Sequence, residues 1–219
     1  DAFNTTNSNY NVTFDVTDGW LKITKRPVTF TATSETKEYT GTTITIDGLT
    51  VSSGEDEGLV SGHTHNVEFS ASGVEANTYT GTITAKEDVV IKNGTVDVTE
   101  NYDITVANGT LTITKTDDEF EISLEDDEYV YDAEEHFNAK TATSTAKTGT
   151  TTYSYSFTED GEYVSDLTSL TKVDAGEYTI YVKATNPNYE NEATTTAKLT
   201  ITKRPVTFTA TSETKEYTG

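Results

Sequence analysis

A serine and a lysine three residues apart, in Ser34-x-x-Lys37 and again in Ser144-x-x-Lys147, make the spacing of an acylating serine that hands its proton to a lysine. Lys147-Thr148-Gly149 is the triplet that accompanies it in serine acyl-enzymes. That chemistry needs the serine at the start of a helix in a large mixed α/β fold, whereas both serines here stand in turn or strand contexts. A chain this rich in Ser, Thr and Lys produces such matches by composition alone, so no catalytic residue is expected and the protein is read as a non-enzyme. His63-Thr64-His65 would point two imidazoles to one side of a strand, a weak metal pattern. With no third ligand at a fixed spacing, the competing reading is a polar loop after Gly62.

The acidic stretch TDDEFEISLEDDEYVYDAEEH, from Thr116 to His136, raises calcium, which favours clustered carboxylates with backbone carbonyls and would stiffen a joint between domains. No D-x-D-x-D-G loop is present, and the acids alternate with Phe120, Ile122 and Leu124, as on the wet face of a strand. No cofactor is therefore expected, with calcium at the interdomain joint the one ion to test. Trp20 is the single tryptophan. Leu21 and Ile23 match the inward Leu111 and Ile113, which puts Trp20 in register with outward Thr110. An outward indole either packs on the neighbouring unit or stacks on a ligand such as a sugar ring, and Trp20 is the one candidate ligand contact.

Lysine and asparagine are plentiful enough for an intramolecular Lys–Asn amide, but no pair is marked by spacing. The expectation is no crosslink, and an intact mass about 17 Da below the calculated value, the ammonia lost on bond formation, would refute it. Thioesters and Thr-Gln esters are excluded because cysteine and glutamine are absent. N-x-T sequons at Asn4, Asn11, Asn93 and Asn108 carry little weight, since they would be idle if the source were bacterial, and Asn108 is better explained by a turn.

The elements that position these residues read as strands throughout. PVTFTAT alternates Val28, Phe30 and Ala32 with threonines, and YTIYVKA sets Ile180, Val182 and Ala184 against Thr179, Tyr181 and Lys183. Period two with threonine outside means sheets wetted on one face. Asn108-Gly109 between two alternating runs is the strongest short hairpin signal, since a type I′ turn needs positive φ at both central residues; Asp160-Gly161 reads the same way. No amphipathic helix is found, so the class is all-β. The segment DAGEYTIYV resembles the tyrosine corner of immunoglobulin-like sandwiches, with Ile180 where antibody domains place a cysteine. A β-grasp-like unit is the competing architecture.

ITKRPVTFTATSETKEYTG occupies Ile23 to Gly41 and returns unchanged as Ile201 to Gly219. The phrase that closes on ITK ends at Lys25, Lys115 and Lys203, steps of 90 and 88 residues whose sum, 178, is the offset of the perfect copy. The chain therefore divides into closing strands of a preceding partial repeat (1–25), repeat A (26–115), repeat B (116–203) and the first strand of another A (204–219). It reads as a window on a longer A-B array. Val74 to Thr80 in A answers Val173 to Thr179 in B, and Lys37-Glu38-Tyr39-Thr40-Gly41 answers Tyr129-Val130-Tyr131-Asp132-Ala133, so both repeats are expected to share one topology. The joints run from ITK into RPVTF without a Gly/Ser spacer, and Pro27 and Pro205 restrict the arginine before them to extended conformations. Such joints are stiff, and a series of them predicts a rod.

Composition bounds the partners. Fifteen basic against 37 acidic residues give a net charge of −22, which repels nucleic acid and anionic membranes. No apolar run is long enough to span a bilayer, and the absence of cysteine and methionine suits an oxidising exterior.

KEYTG, DVTENYDITVANGTLTITK and the KRP joint resemble the YDG and MBG tandem repeats of large bacterial surface proteins. YVYDAEEH with DAGEYTIYVKATNPNYE is similar to the bacterial Ig-like repeats that alternate with them. Thr40 stands where that family usually has aspartate, and Ala133 where it has glycine. The resemblance implies an extracellular location at the bacterial cell surface or wall and a stalk or adhesion role, and it supplies no catalytic residues. The leading expectation is a stalk whose partners are its own neighbouring repeats. The alternatives are a module that binds host or matrix glycans or proteins by avidity, and a filament subunit assembled by strand exchange.

Overall fold

The computed structural model describes residues 9, 10, 13, 15 and 17–219. The sequons at Asn4 and Asn11 lie outside the described residues. The described part is all-β: eighteen strands, three short 3-10 turns and no α-helix. No helix there is long and apolar enough to cross a membrane. In chain order the strands are β1 (Arg26–Ala32), β2 (Glu35–Glu38), β3 (Ile44–Ile46), β4 (Leu49–Val51), β5 (His63–His65), β6 (Phe69–Gly73), β7 (Asn77–Thr80), β8 (Thr82–Ile83) and β9 (Ile91–Asn93). They continue with β10 (Val96–Asp97), β11 (Tyr102–Ala107), β12 (Thr110–Thr114), β13 (Ile122–Ser123), β14 (Asp127–Val130), β15 (Thr143–Ser144), β16 (Thr152–Ser156), β17 (Gly176–Thr185) and β18 (Ala193–Thr202).

Two compact units result, and they do not coincide with the repeats. Unit 1 takes the chain up to Thr31 with Thr50–Val67 and Thr84–Ala107; unit 2 takes Ala32–Leu49, Glu68–Ile83 and Asn108–Gly219. The repeat boundary at 115/116 thus falls inside unit 2. In unit 1, β1 lies parallel to β11 with Arg26 opposite Tyr102, and β9 lies antiparallel between β10 and β5. Its buried side chains are Val28, Phe30, Val67, Val89, Ile91, Tyr102 and Ile104. The alternation read from PVTFTAT is therefore the inside-outside pattern of a real strand.

Unit 2 combines the sheets β2-β12-β7, β3-β6-β8, β13-β15 and β14-β18-β17-β16. One apolar cluster runs from Ala32, Tyr39, Phe69 and Leu111 of repeat A through Phe120, Tyr155, Ile180 and Leu199 of repeat B. The two repeats share their framework to the residue. In A, β2 lies parallel to β12 with Glu35 opposite Leu111; in B, β14 lies parallel to β18 with Asp127 opposite Leu199. Tyr178 donates its hydroxyl to the Asp174 carbonyl at 2.8 Å, the corner that the sequence marks, and Tyr79 does the same to Glu75 at 3.0 Å. Gly41 and Ala133 both take left-handed backbone, φ 78° and 72°. No α-helix packs on these sheets among the described residues, and the arrangement is all-β.

Three expectations are corrected. Asn108-Gly109 makes no hairpin, because β11 pairs with β1 whereas β12 pairs with β2 and β7, and neither residue has positive φ. Gly109 is required by close approach instead: a Cβ there would run into the Thr33 carbonyl. The turn at Asp160-Gly161 is present but wide, closed by two backbone bonds between Tyr155 and Val164 at 2.8 and 2.9 Å. Finally, residues 17–25 and 203–219 carry no strand, so the strands expected over 204–219 and in the described end of 1–25 are not formed. An alternating segment with no neighbouring ladder has no partner for its backbone polar groups and does not hold a strand.

Candidate functional site

The serines and lysines of the two pairs turn to other partners. Ser34 Oγ accepts from the Thr110 N–H at 3.1 Å, while Lys37 turns to Glu35 at 2.6 Å. Ser144 Oγ accepts from Ala146 N–H at 3.0 Å, and Lys147 Nζ donates to the Thr40 carbonyl at 3.1 Å. Neither lysine addresses its serine, and neither serine opens a helix. His63 and His65 stand on β5, a strand and not the loop alternative, and lean to the same side. The Tyr102 hydroxyl accepts from Val60 N–H at 3.1 Å and is hydrogen-bonded to His63 Nδ1 at 2.6 Å. His65 packs on Phe30 with ring centroids 4.9 Å apart, and its Nδ1 accepts from Val67 N–H.

In the acidic stretch, Phe120, Ile122 and Leu124 are buried, and Glu119, Glu121 and Glu125 beside them face water. Asp127 and Asp132, further along, are committed to hydrogen bonds and ion pairs. Desolvation pushes the Asp127 carboxyl up, but the Ala139 N–H, Lys140, the Glu128 N–H and the Tyr129 hydroxyl together hold it below the usual range. Asp132 is held low chiefly by the Glu134 N–H and by His136 at 2.9 Å. No group of three or more His, Cys, Asp or Glu side chains that could hold a metal ion occurs among the described residues. Trp20 is 83% exposed on a segment without a strand, so the outward register inferred for it does not exist here; Leu21 and Ile23, expected to face inward, are exposed too.

The richest constellation is one that the sequence did not assemble: the A–B boundary inside unit 2. Tyr39, just past β2, is buried, with its ring edge-on to Tyr189 at 5.6 Å, and Tyr189 in turn meets Phe120 at 4.8 Å. The Tyr39 hydroxyl lies 2.7 Å from Thr148 Oγ1 and accepts from the Thr148 N–H at 3.0 Å. Asn188, fully buried, takes the Ala76 N–H on Oδ1 at 2.8 Å and donates through Nδ2 to the Glu75 carboxylate. Thr116, at the boundary itself, donates to Glu38 Oε1 at 2.7 Å, and its backbone N–H and C=O pair with Asn188 and Glu190. Thr116, Asn186 and Asn188 are buried polar residues, and no buried side-chain polar atom lacks a partner among the described residues. A fully satisfied buried network rigidifies, because breaking one bond strands its partner in a low-dielectric interior.

Lys147-Thr148-Gly149 is thus a junction loop. Gly149 has φ 78°, and a Cβ on it would press on Asn188 Nδ2, so glycine is needed for both backbone and space. The signal available in sequence was Asn186-Pro187-Asn188-Tyr189, two amides around a proline. Amides that close to a strand end must be satisfied by something if they are buried.

A second lock sits in unit 1. Arg26 donates from Nε to Gly58 O at 2.9 Å, from Nη1 to Glu55 O at 3.0 Å, and from Nη2 to Gly54 O at 2.9 Å and Glu57 O at 2.6 Å. The loop also binds the strand backbone, Gly58 N–H to Pro27 O at 2.8 Å. The KRP joint is therefore held by a ring of carbonyls that matches the fixed fork of a guanidinium.

No family model matches the chain, and no curated protein is similar to it. Among solved structures the chain is similar to the fibronectin(III)-like modules of Clostridium thermocellum CbhA, at 11% identity and a TM-score of 0.31, over 83% of this chain and 96% of that one. A likeness of that size carries no argument about function.

Proposed function

We propose that the protein is a spacer, a stalk segment of a large repetitive bacterial surface adhesin that projects a distal binding region from the cell surface. The observation that carries this reading is the A–B boundary. Repeats A and B meet through one apolar cluster and a buried polar network instead of a flexible linker, as a load-transmitting joint requires. The resemblance to YDG/MBG and Ig-like repeats points the same way, and so does a net charge of −22, which keeps neighbouring identical units apart in solution. Small-angle scattering over a concentration series, with and without calcium, tests it. The expected particle is an extended monomer indifferent to calcium; a compact, calcium-dependent or associating one overturns the passive spacer.

A second reading has one observation in its favour. Trp20 presents a large free ring, as a sugar-stacking residue would. Quenching of its fluorescence by host or matrix glycans, absent in Trp20→Ala, would make the repeat a binding module.

A further inference from the structure

Two clefts surround two copies of one phrase. In unit 1, Ile23, Thr24, Lys25 and Arg26 form one side of a cleft of about 630 Å³ whose other side includes Val60, His63, Glu100, Asn101 and Tyr102. In unit 2, Lys203, Arg204 and Val206 form one side of a cleft of about 530 Å³ whose other side is Tyr131, Asp174 and Ala175. Lys25-Arg26 and Lys203-Arg204 are the same positions of the repeated phrase. Burial along the two copies is complementary: Ile201 is 2% exposed and Ile23 87%, whereas Val28 is 1% exposed and Val206 69%. The first half of the phrase is satisfied in one copy and the second half in the other.

A strand given both sets of neighbours would run from β18, ending at Thr202, into the equivalent of β1, starting at Arg204, with Lys203 alone between them. One residue leaves no slack, so the two walls would close around the same lysine and arginine. The A–B boundary supplies the precedent. By the shared register and the shared corner, Tyr131 stands for Tyr39, and Asp174-Ala175 stands for Glu75-Ala76. In repeat A, Tyr39 is buried and the Ala76 N–H is taken by Asn188 of repeat B; in repeat B, Tyr131 is only half-buried, and Asp174 and Ala175 are exposed.

We propose that Tyr131, Asp174 and Ala175 form a docking face for a second copy of repeat A, which seats its Val60–Tyr102 wall there. The occupant is an A repeat because the segment leading from β18 into the face is RPVTFTA, the sequence of β1, and not the TDDEFEIS that enters a B repeat. Arg204, exposed here, would then find the carbonyl ring that Arg26 already has.

The proposal rests on the spacer reading, in which repeats act in series, but the two fail separately. The test is amide hydrogen exchange on the full chain, compared with the same chain extended after Gly219 by its own residues 42–115. In the extended protein the Val206 and Phe208 amides should slow to the rates of Val28 and Phe30, and those of Tyr131 and Ala175 should slow at least about tenfold. Ala175→Arg should leave the Tm of the 219-residue chain unchanged yet abolish the added protection at Tyr131 in the extended one. Protection of Val206 and Phe208 with unchanged exchange at Tyr131 would mean repeats strung on a free hinge and would overturn the docking face while leaving the A–B joint intact. An unprotected Phe208, or protection at Tyr131 that survives Ala175→Arg, overturns it as well.

Discussion

Between Arg26 and Gly41 the repeated phrase forms β1 and β2, with Phe30 at 0% and Tyr39 at 3% exposure; between Arg204 and Gly219 the same residues form no strand, with Phe208 at 93% and Tyr217 at 95%. Local sequence is held constant in this pair, so propensity, alternation and the proline are identical and cannot be what differs. The difference lies in the neighbours: β11 offers a parallel ladder to Arg26–Thr31 and β12 offers one to Glu35–Glu38. A strand is decided by its partners, and β-propensity is only the capacity to fit once they are there.

The largest test of that contrast is a pair of phenylalanine truncations. Phe30→Ala removes a fully buried ring and should cost about 3–5 kcal/mol, read as a lower denaturant midpoint at unchanged slope. Phe208→Ala removes the same ring from water and should stay within about 0.5 kcal/mol. Comparable losses at both positions would mean that the second copy is packed in solution, and the contrast would collapse.

How much was legible in the sequence follows the same division between local pattern and partner choice. The all-β class, the inward faces of Val28 and Ile180, and the corner at Tyr178 depend on period two or on contacts four residues apart, and those are printed in the chain. The Asn108-Gly109 hairpin failed because its signal is local and the pairing is not: parallel partners for β1 and β2 draw the two flanking strands into different sheets. The A–B lock was invisible for a related reason. Thr148 and Asn188 lie 40 residues apart and meet residues of repeat A more than 100 positions away, and no spacing rule spans that distance. The Lys147-Thr148-Gly149 triplet is legible in the sequence, but its spacing says nothing of the junction, where Lys147 donates to the Thr40 carbonyl and the Thr148 N–H to Tyr39.

Tyr39 and Tyr217 sharpen the comparison at the level of one hydroxyl. Tyr39→Phe keeps the ring against Tyr189 but leaves the Thr148 N–H and hydroxyl without that oxygen, a loss of about 1–3 kcal/mol. Tyr217→Phe should leave the denaturation midpoint where it was. Combining Tyr39→Phe with Thr148→Val should cost less than the two single losses added together, because the second change removes a group the first has already stranded. Strict additivity would mean that the hydroxyl pair does not couple the repeats.

The smallest expected effect compares the two repeats through their shared left-handed turn. Gly41 meets φ 78° without a side chain, whereas Ala133 holds φ 72° with a Cβ that crowds the carbonyl next to it. Ala133→Gly relieves roughly 1–2 kcal/mol of that strain but returns part of it as extra freedom of the unfolded chain, so the net gain should be about 0.5–1 kcal/mol. Gly41→Ala should run the other way and by more. It imposes the same strain, and its Cβ meets the Lys147 side chain, which is tethered to the Thr40 carbonyl and cannot swing aside without breaking that bond. If Ala133→Gly instead destabilised the protein, the alanine would have to be making contacts that outweigh its backbone, and the turn in repeat B would be held by its side chain and not by the register it shares with repeat A.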